Sequence, residues 1–196
     1  PAMLTPALLQ QLDRLAQHGQ KHDAKTLTRA DKMLNITPDT GMMLYQWLRF
    51  GRPAHVVEIG SSNGYSTLWL AAAAQAYGGR VTSLDVLQAK TALARNTLSE
   101  AGLLDTVTLV TAEAGSWLRQ QAAESAQLIF LDADRSLYAS YWPLLAPVLA
   151  PGGLIVVDNA VSHAAECADF FARVRATPGF LCELLPIGKG EFIILK

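Results

Sequence analysis

Asp132 and the pair Asp158-Asn159 offer two carboxylates and an amide oxygen, each just beyond a short apolar run (Leu128–Leu131 and Leu154–Val157). Hard oxygen donors of this kind suit magnesium, manganese or calcium rather than zinc. The competing reading is that Asp132 caps a helix and Asp158-Asn159 caps a loop. A second constellation lies earlier, in Val56-Val57-Glu58-Ile59-Gly60-Ser61-Ser62-Asn63-Gly64-Tyr65-Ser66-Thr67, which reads as strand, glycine loop and helix. Gly60 permits a tight turn, and Gly64 permits close backbone approach to a ligand. A dinucleotide fingerprint would put further glycines where Ser62 and Tyr65 stand, so a pyrophosphate fits poorly. Asp85 ends the next β-rich run, where a carboxylate can accept hydrogen bonds from both ribose hydroxyls. Loop and acid together indicate a nucleoside-containing cofactor without a pyrophosphate. Glu58 lies inside the first strand, and a buried carboxylate there needs partners. It either binds loop amides, orients a ligand's ammonium, or is purely structural.

These residues need elements to hold them. Short β-rich runs fall at His55–Ile59, Arg80–Leu84, Val107–Thr111, Gln127–Leu131, Leu154–Val157, Phe180–Leu185 and Phe192–Leu195, with helical spacing between them. The unbroken apolar runs predict strands buried on both faces, hence a parallel sheet covered by helices. Thr5-Pro6 and Thr37-Pro38 read as helix starts, and Pro151-Gly152-Gly153 as a helix stop. The segment from Pro186 to Gly190 is too short for a crossover, so the last two strands must pair antiparallel. The fold expected is α/β: a Rossmann-like, doubly wound, seven-stranded sheet, mostly parallel with a C-terminal antiparallel hairpin and helices on both faces. Ligands of such sheets sit beyond the carboxyl ends of the strands, where Gly60–Ser66, Asp85, Glu113, Asp132–Arg135 and Asp158-Asn159 crowd one edge.

With 196 residues the chain is expected to form one domain, residues 1–34 a helical arm and 35–196 the core. Half the residues are hydrophobic and few are charged, which excludes intrinsic disorder. A formal charge of −1 gives no basic excess for nucleic acid or an anionic membrane. Cys167 and Cys182 have no short-spacing partner and read as reduced thiols, and no targeting segment is evident, so a cytoplasmic protein is expected. The polar stretch Gly19–Asp31 reads as a mobile lid or connector.

Three motifs, in order and spacing, carry a resemblance: Glu58-Ile59-Gly60-Ser61-Ser62-Asn63-Gly64-Tyr65-Ser66, then Leu131-Asp132-Ala133-Asp134-Arg135 with Tyr138, then Gly152-Gly153-Leu154-Ile155-Val156-Val157-Asp158-Asn159. From about Asn35 onward the chain resembles the cation-dependent class I O-methyltransferases, which include catechol and caffeoyl-CoA enzymes. The resemblance implies S-adenosylmethionine as cofactor, S-adenosylhomocysteine as product, and a divalent cation, usually Mg2+, on Asp132, Asp158 and Asn159. It implies that Asn35-Ile36-Thr37 closes over the methionine end and that Ser66 contacts its carboxylate. Glu58, Gly60, Ser61, Gly64, Tyr65, Asp85, Val86, Asp132 and Tyr138 complete the cofactor set, with the Glu113-Ala114 turn near the adenine. The acceptor implied is a small catechol-like phenol, and the family admits a homodimer.

Two positions depart from the family's pattern. Arg135 stands where relatives usually carry the Lys taken as general base, and arginine stays protonated in proteins. Its open roles are electrostatic stabilisation of a phenolate or an ion pair with Asp134. Lys189 stands where many relatives carry an acid. It reads either as a solvated hairpin lysine or as the contact for an anionic substrate group. His163, close after Asn159, is a candidate base or substrate contact, and Tyr141 and Trp142 read mainly as core, with Tyr138, whose position the family retains, as the exception. The rival readings are a metal-independent methyltransferase on another acceptor and a non-catalytic S-adenosylmethionine-binding protein.

Overall fold

The structure is a computed structural model that describes residues 4–196. Its strands are β1 (His55–Ile59), β2 (Arg80–Asp85), β3 (Val107–Thr111), β4 (Ala126–Leu131), β5 (Leu149–Val157), β6 (Leu181–Leu185) and β7 (Glu191–Leu195). They form one sheet in the order β3-β2-β1-β4-β5-β7-β6. β1 to β5 pair in parallel, while β7 runs antiparallel to both β5 and β6. The helices are α1 (Pro6–Lys25), α2 (Pro38–Gly51), α3 (Tyr65–Gln75), α4 (Gln88–Glu100), α5 (Ala114–Arg119), α6 (Tyr138–Val148) and α7 (Ala164–Arg175).

Alternation along the central strands builds two cores. Val56, Leu128, Phe130 and Val156 pack under α1 to α4, while Val57, Ile129, Leu131, Ile155 and Val157 pack under α5 to α7. Successive side chains point to opposite faces, so strands apolar at every position are buried on both sides. The strand order reverses between β1 and β4, and in an open α/β sheet that switch point is where a crevice opens.

Several local expectations change. Gly19–Lys25 completes α1, and Arg29–Asp31 forms a short 3-10 turn, so most of the stretch expected as a lid is helical. The Asp23 carboxylate binds the amides of Met33 and Leu34 at 2.7 and 2.8 Å and ties that stretch down. Pro151-Gly152-Gly153 does not stop a helix. α6 ends at Val148 and β5 begins at once, with its register against β4 shifted between Ala126 and Leu128. Thr5 caps α1 by accepting from the Leu8 amide at 3.2 Å. Thr37 makes no such cap and turns its hydroxyl to Thr40.

Candidate active site

The glycine loop joins β1 to α3. Gly60 has φ +107°, and a Cβ there would lie 1.9 Å from the Asp132 carbonyl oxygen. Only glycine lets this loop pass so close to the β4 end. Gly64, at φ +88°, lies against Ala94 of α4 in the same way. The Gly60 and Ser61 amides both donate to the Leu84 carbonyl, at 2.8 and 2.9 Å. The Asp85 carboxylate accepts from the Ser62 and Leu87 amides, each at 3.0 Å, which fixes its plane.

Glu58 is fully buried in β1. Its carboxylate accepts from the hydroxyls of Ser66 (2.5 Å), Ser83 (2.6 Å) and Thr67, and Ser83 is bonded in turn to Ser61 at 2.6 Å. Burial outweighs those hydroxyls and pushes the Glu58 carboxyl up to about 7. Ser61 and Ser66 thus serve the Glu58 network.

At the ends of β4 and β5, the Asn159 amide lies 3.2 Å from Asp132 Oδ1 and 3.3 Å from Asp158 Oδ2. Asn159 has φ +63°, a conformation asparagine tolerates better than most residues. The Asp132 carboxyl is raised well above the usual carboxylate range, first by burial and then by the charges of Asp158 and Glu58. Behind them Glu191 is wholly buried. Thr40 donates to its Oε1 at 2.8 Å, and its carboxyl is within hydrogen-bonding reach of Asp158. Burial, then Asp158, push its carboxyl up to about 11.

Among the described residues no cation forms an ion pair with Asp132 or Asp158. No group of three His, Cys, Asp or Glu side chains there stands ready to hold a metal. The candidate donor set is therefore the two carboxylates and the Asn159 amide, whose oxygen and nitrogen exchange by a half-turn. Crowded carboxyl groups with no cation in contact are a fit for a hard divalent ion.

Arg135 is buried beneath the next turn, and its Nε donates to Glu166 at 2.5 Å. Burial works against its charge, but the Glu166 bond and charge overcome that and hold the guanidinium above its ordinary pKa. Its ion-pair partner is thus Glu166. Asp134 instead binds the Ser136 amide and hydroxyl. His163 pairs with the Ser162 hydroxyl at 2.8 Å, and burial followed by the Arg135 charge lowers its pKa.

One cleft of about 880 Å³ runs along this edge. Gly60, Asp85, Val86, Ala114, Asp132, Arg135, Asn159 and His163 line it. Other expected residues lie outside its lining. Asp158 sits behind Asn159. Glu113 caps α5, accepting from the Gly115 and Ser116 amides and the Tyr141 hydroxyl, and these bonds lower its carboxyl to about 2. Tyr65 packs edge-on to Trp69 in the core. Tyr138 is buried and bonds the Ala133 amide at 2.7 Å, which positions the Asp132 turn. Asn35 donates to the Leu15 carbonyl, and Ile36 is core. Lys32, Met33 and Leu34 line the cleft instead of Asn35-Ile36-Thr37, together with Arg29, Ser62 and Lys90. Ser62 reaches this arm directly, donating to the Met33 carbonyl at 2.6 Å.

Comparison with known proteins agrees with this architecture. A catechol O-methyltransferase of Niastella koreensis is 31% identical over 131 residues, 65% of this chain and 59% of that protein. One from Mycobacterium tuberculosis is 36% identical over 106 residues, 54% and 48% of the two chains. The chain thus aligns with only about half of each of these relatives. The crystal structure of a Bacillus cereus O-methyltransferase in complex with SAH superposes with TM-score 0.79 at 24% identity, covering 95% of this chain and 91% of that one. A family model described as O-methyltransferase matches residues 10–173, and the chain belongs to that family.

Proposed function

We propose that this chain is an S-adenosylmethionine-dependent O-methyltransferase, assisted by a divalent cation, that methylates one hydroxyl of a small catechol-like phenol. The whole chain acts as one domain, with residues 1–34 as its arm. The observation that carries this reading is the cleft itself. It brings the glycine loop and Asp85 together with Asp132 and Asn159 at the neighbouring strand ends, and Asp158 is buried next to Asn159. The names of the two catechol O-methyltransferase relatives and the SAH of the Bacillus cereus structure support it.

When bound, the sulfonium supplies the methyl group, and the cation supplies Lewis acidity toward a phenolic hydroxyl. The chain's residues do the rest. Asp85, held in plane by two amides, keeps lone pairs for ribose hydroxyls. Asp132, Asp158 and Asn159 would hold the cation. Arg135 cannot act as a base and instead adds fixed positive charge beside the phenolate. His163, whose lowered pKa favours the neutral imidazole, takes the phenol's proton.

Labelled S-adenosylmethionine with a panel of catechols, with and without EDTA, tests this. Transfer that EDTA abolishes and Mg2+ restores is the expected result. Transfer indifferent to EDTA would favour the metal-independent reading, and cofactor binding without transfer to any acceptor would favour the non-catalytic one.

A further inference from the structure

The loop between β6 and β7 carries Gly188-Lys189-Gly190, and its backbone is fixed on two sides. The Lys189 carbonyl accepts from the Val161 and Ser162 amides at 3.0 Å each, and the Gly190 carbonyl accepts from Ala160 at 3.0 Å. The Gly188 amide donates to Asp39 at 3.2 Å. A Cβ on Gly188 would lie 2.3 Å from the Thr40 hydroxyl, and one on Gly190 would lie 2.4 Å from Val161. The loop is therefore packed against the start of α2 and against the turn that carries Asn159.

That packing sets the half-buried Lys189 in the cleft lining with Asp132, Arg135 and His163. No ion pair to its ammonium forms among the described residues. The surrounding carboxylates have other work: Glu166 binds Arg135, Asp134 binds Ser136, and Glu191 binds Thr40. Asp132 attracts Lys189 from a distance but belongs to the hard-oxygen set. Arg29, exposed at the same end of the cleft, also has no ion pair among the described residues. A lysine and an arginine lining the cleft with no ion pair in contact leave their charge-assisted hydrogen bonds to an anion that a ligand can supply.

We propose that Lys189, with Arg29 at the rim, forms a subsite for a carboxylate on the acceptor, so that the preferred substrate is an aromatic acid bearing the reactive hydroxyls. This rests on the methyl-transfer reading for the identity of the ring. The competing role for Lys189 is simple neutralisation of Asp132, which would serve all acceptors alike.

The test compares 3,4-dihydroxybenzoate with its neutral amide, as a ratio of kcat/KM, in the wild type and in Lys189→Met. The acid is expected to be favoured about tenfold, the worth of one charge-assisted hydrogen bond at a half-buried site. Lys189→Met is expected to bring the ratio near one, chiefly through KM for the acid. A wild-type ratio near one, or a ratio unchanged in Lys189→Met, overturns the proposal. Calorimetric binding of the same two compounds in the presence of S-adenosylhomocysteine separates the two failures. If neither compound is methylated, the acceptor reading falls. Tighter binding of the acid that Lys189→Met removes would still support the subsite, and equal binding or none overturns it.

Discussion

Replacing Glu58 with Gln isolates the electrostatics at the base of the glycine loop. The carboxyl is raised from 4.5 to about 7, first by burial, against the pull of the Ser66, Ser83 and Thr67 hydroxyls. Below pH 4.5 the group is protonated in both folded and unfolded chains and contributes no pH dependence. Between 4.5 and 7 the folded protein keeps a proton that the unfolded chain gives up, so stability falls as pH rises through this window and levels off above it. At about 1.4 kcal/mol for each pH unit, the loss from pH 4.5 to 8 is about 3 kcal/mol, and full burial leaves little solvent screening to reduce it. Gln has the same shape and no charge. Whatever its altered hydroxyl contacts cost, that cost is the same at both pH values. The measurement is urea unfolding of the wild type and Glu58→Gln at pH 5 and pH 8. The loss of stability between the two is expected to be smaller in the variant by about 2–3 kcal/mol. Asp132 and Glu191 contribute slopes of the same sign to both proteins, and because the Glu58 charge helps to raise Asp132, its removal lowers the Asp132 carboxyl and flattens the variant's slope further in the same direction. An identical pH slope in the two proteins would refute the reasoning, because it would mean that the native Glu58 titrates like a solvated carboxylate.

Gly60→Ala and Gly78→Ala both strain a positive φ, but Gly78 has open space around it while Gly60 abuts the Asp132 carbonyl. The first is expected to cost roughly 3–4 kcal/mol and the second about 1, read as thermal midpoints; equal shifts would deny the close approach. Asp85→Ala is expected to weaken S-adenosylhomocysteine binding at least about tenfold, the loss of charged hydrogen bonds, whereas Asp158→Ala spares it and removes Mg2+ titration in calorimetry. Equal loss of cofactor affinity in both would contradict that division of labour. Arg135→Lys is expected to keep methyl transfer to catechols within about threefold, because Lys preserves the charge; a loss beyond about a hundredfold would show that the Nε bond to Glu166 is needed.

Much of the scaffold was legible because a two-faced buried strand leaves an unbroken apolar run, as Leu128–Leu131 and Leu154–Val157 do. The terminal hairpin followed from loop length alone. The cleft wall at Lys32–Leu34 was not legible. Its path depends on Asp23, on the helix before it, catching two amides, and on Leu34 adopting φ +50°, and neither leaves a local pattern. The placement of the Tyr65 ring was not legible for a related reason. It sits inside the loop motif, yet one helical turn places it on Trp69, 6.5 Å away, where burial claims the ring. Glu191 gave no signal at all. An acid opening a β-branched run looks like an edge residue, and only the tertiary pairing of β7 with β5 carries it beneath Asp158.

The same pairings explain why the two halves of the cleft cannot be tuned separately. The Asp132 amide donates to the Ile59 carbonyl at 3.0 Å, and the Asp158 amide donates to the Leu131 carbonyl at 3.1 Å. The strand ends that carry the glycine loop and both carboxylates of the candidate cation set are thus successive rungs of one ladder. Gly60 adds a contact with no slack between the loop and the Asp132 peptide. A shift of the loop toward a cofactor must therefore move the Asp132 carbonyl or be resisted by it, since a packed interior yields in discrete steps rather than smoothly. Acceptor recognition is freer. The residues proposed for it, Arg29, His163 and Lys189, lie on connecting segments lining the cleft, where side chains can change without disturbing the ladder. The ladder explains why the cofactor is readable in the sequence and the acceptor far less so.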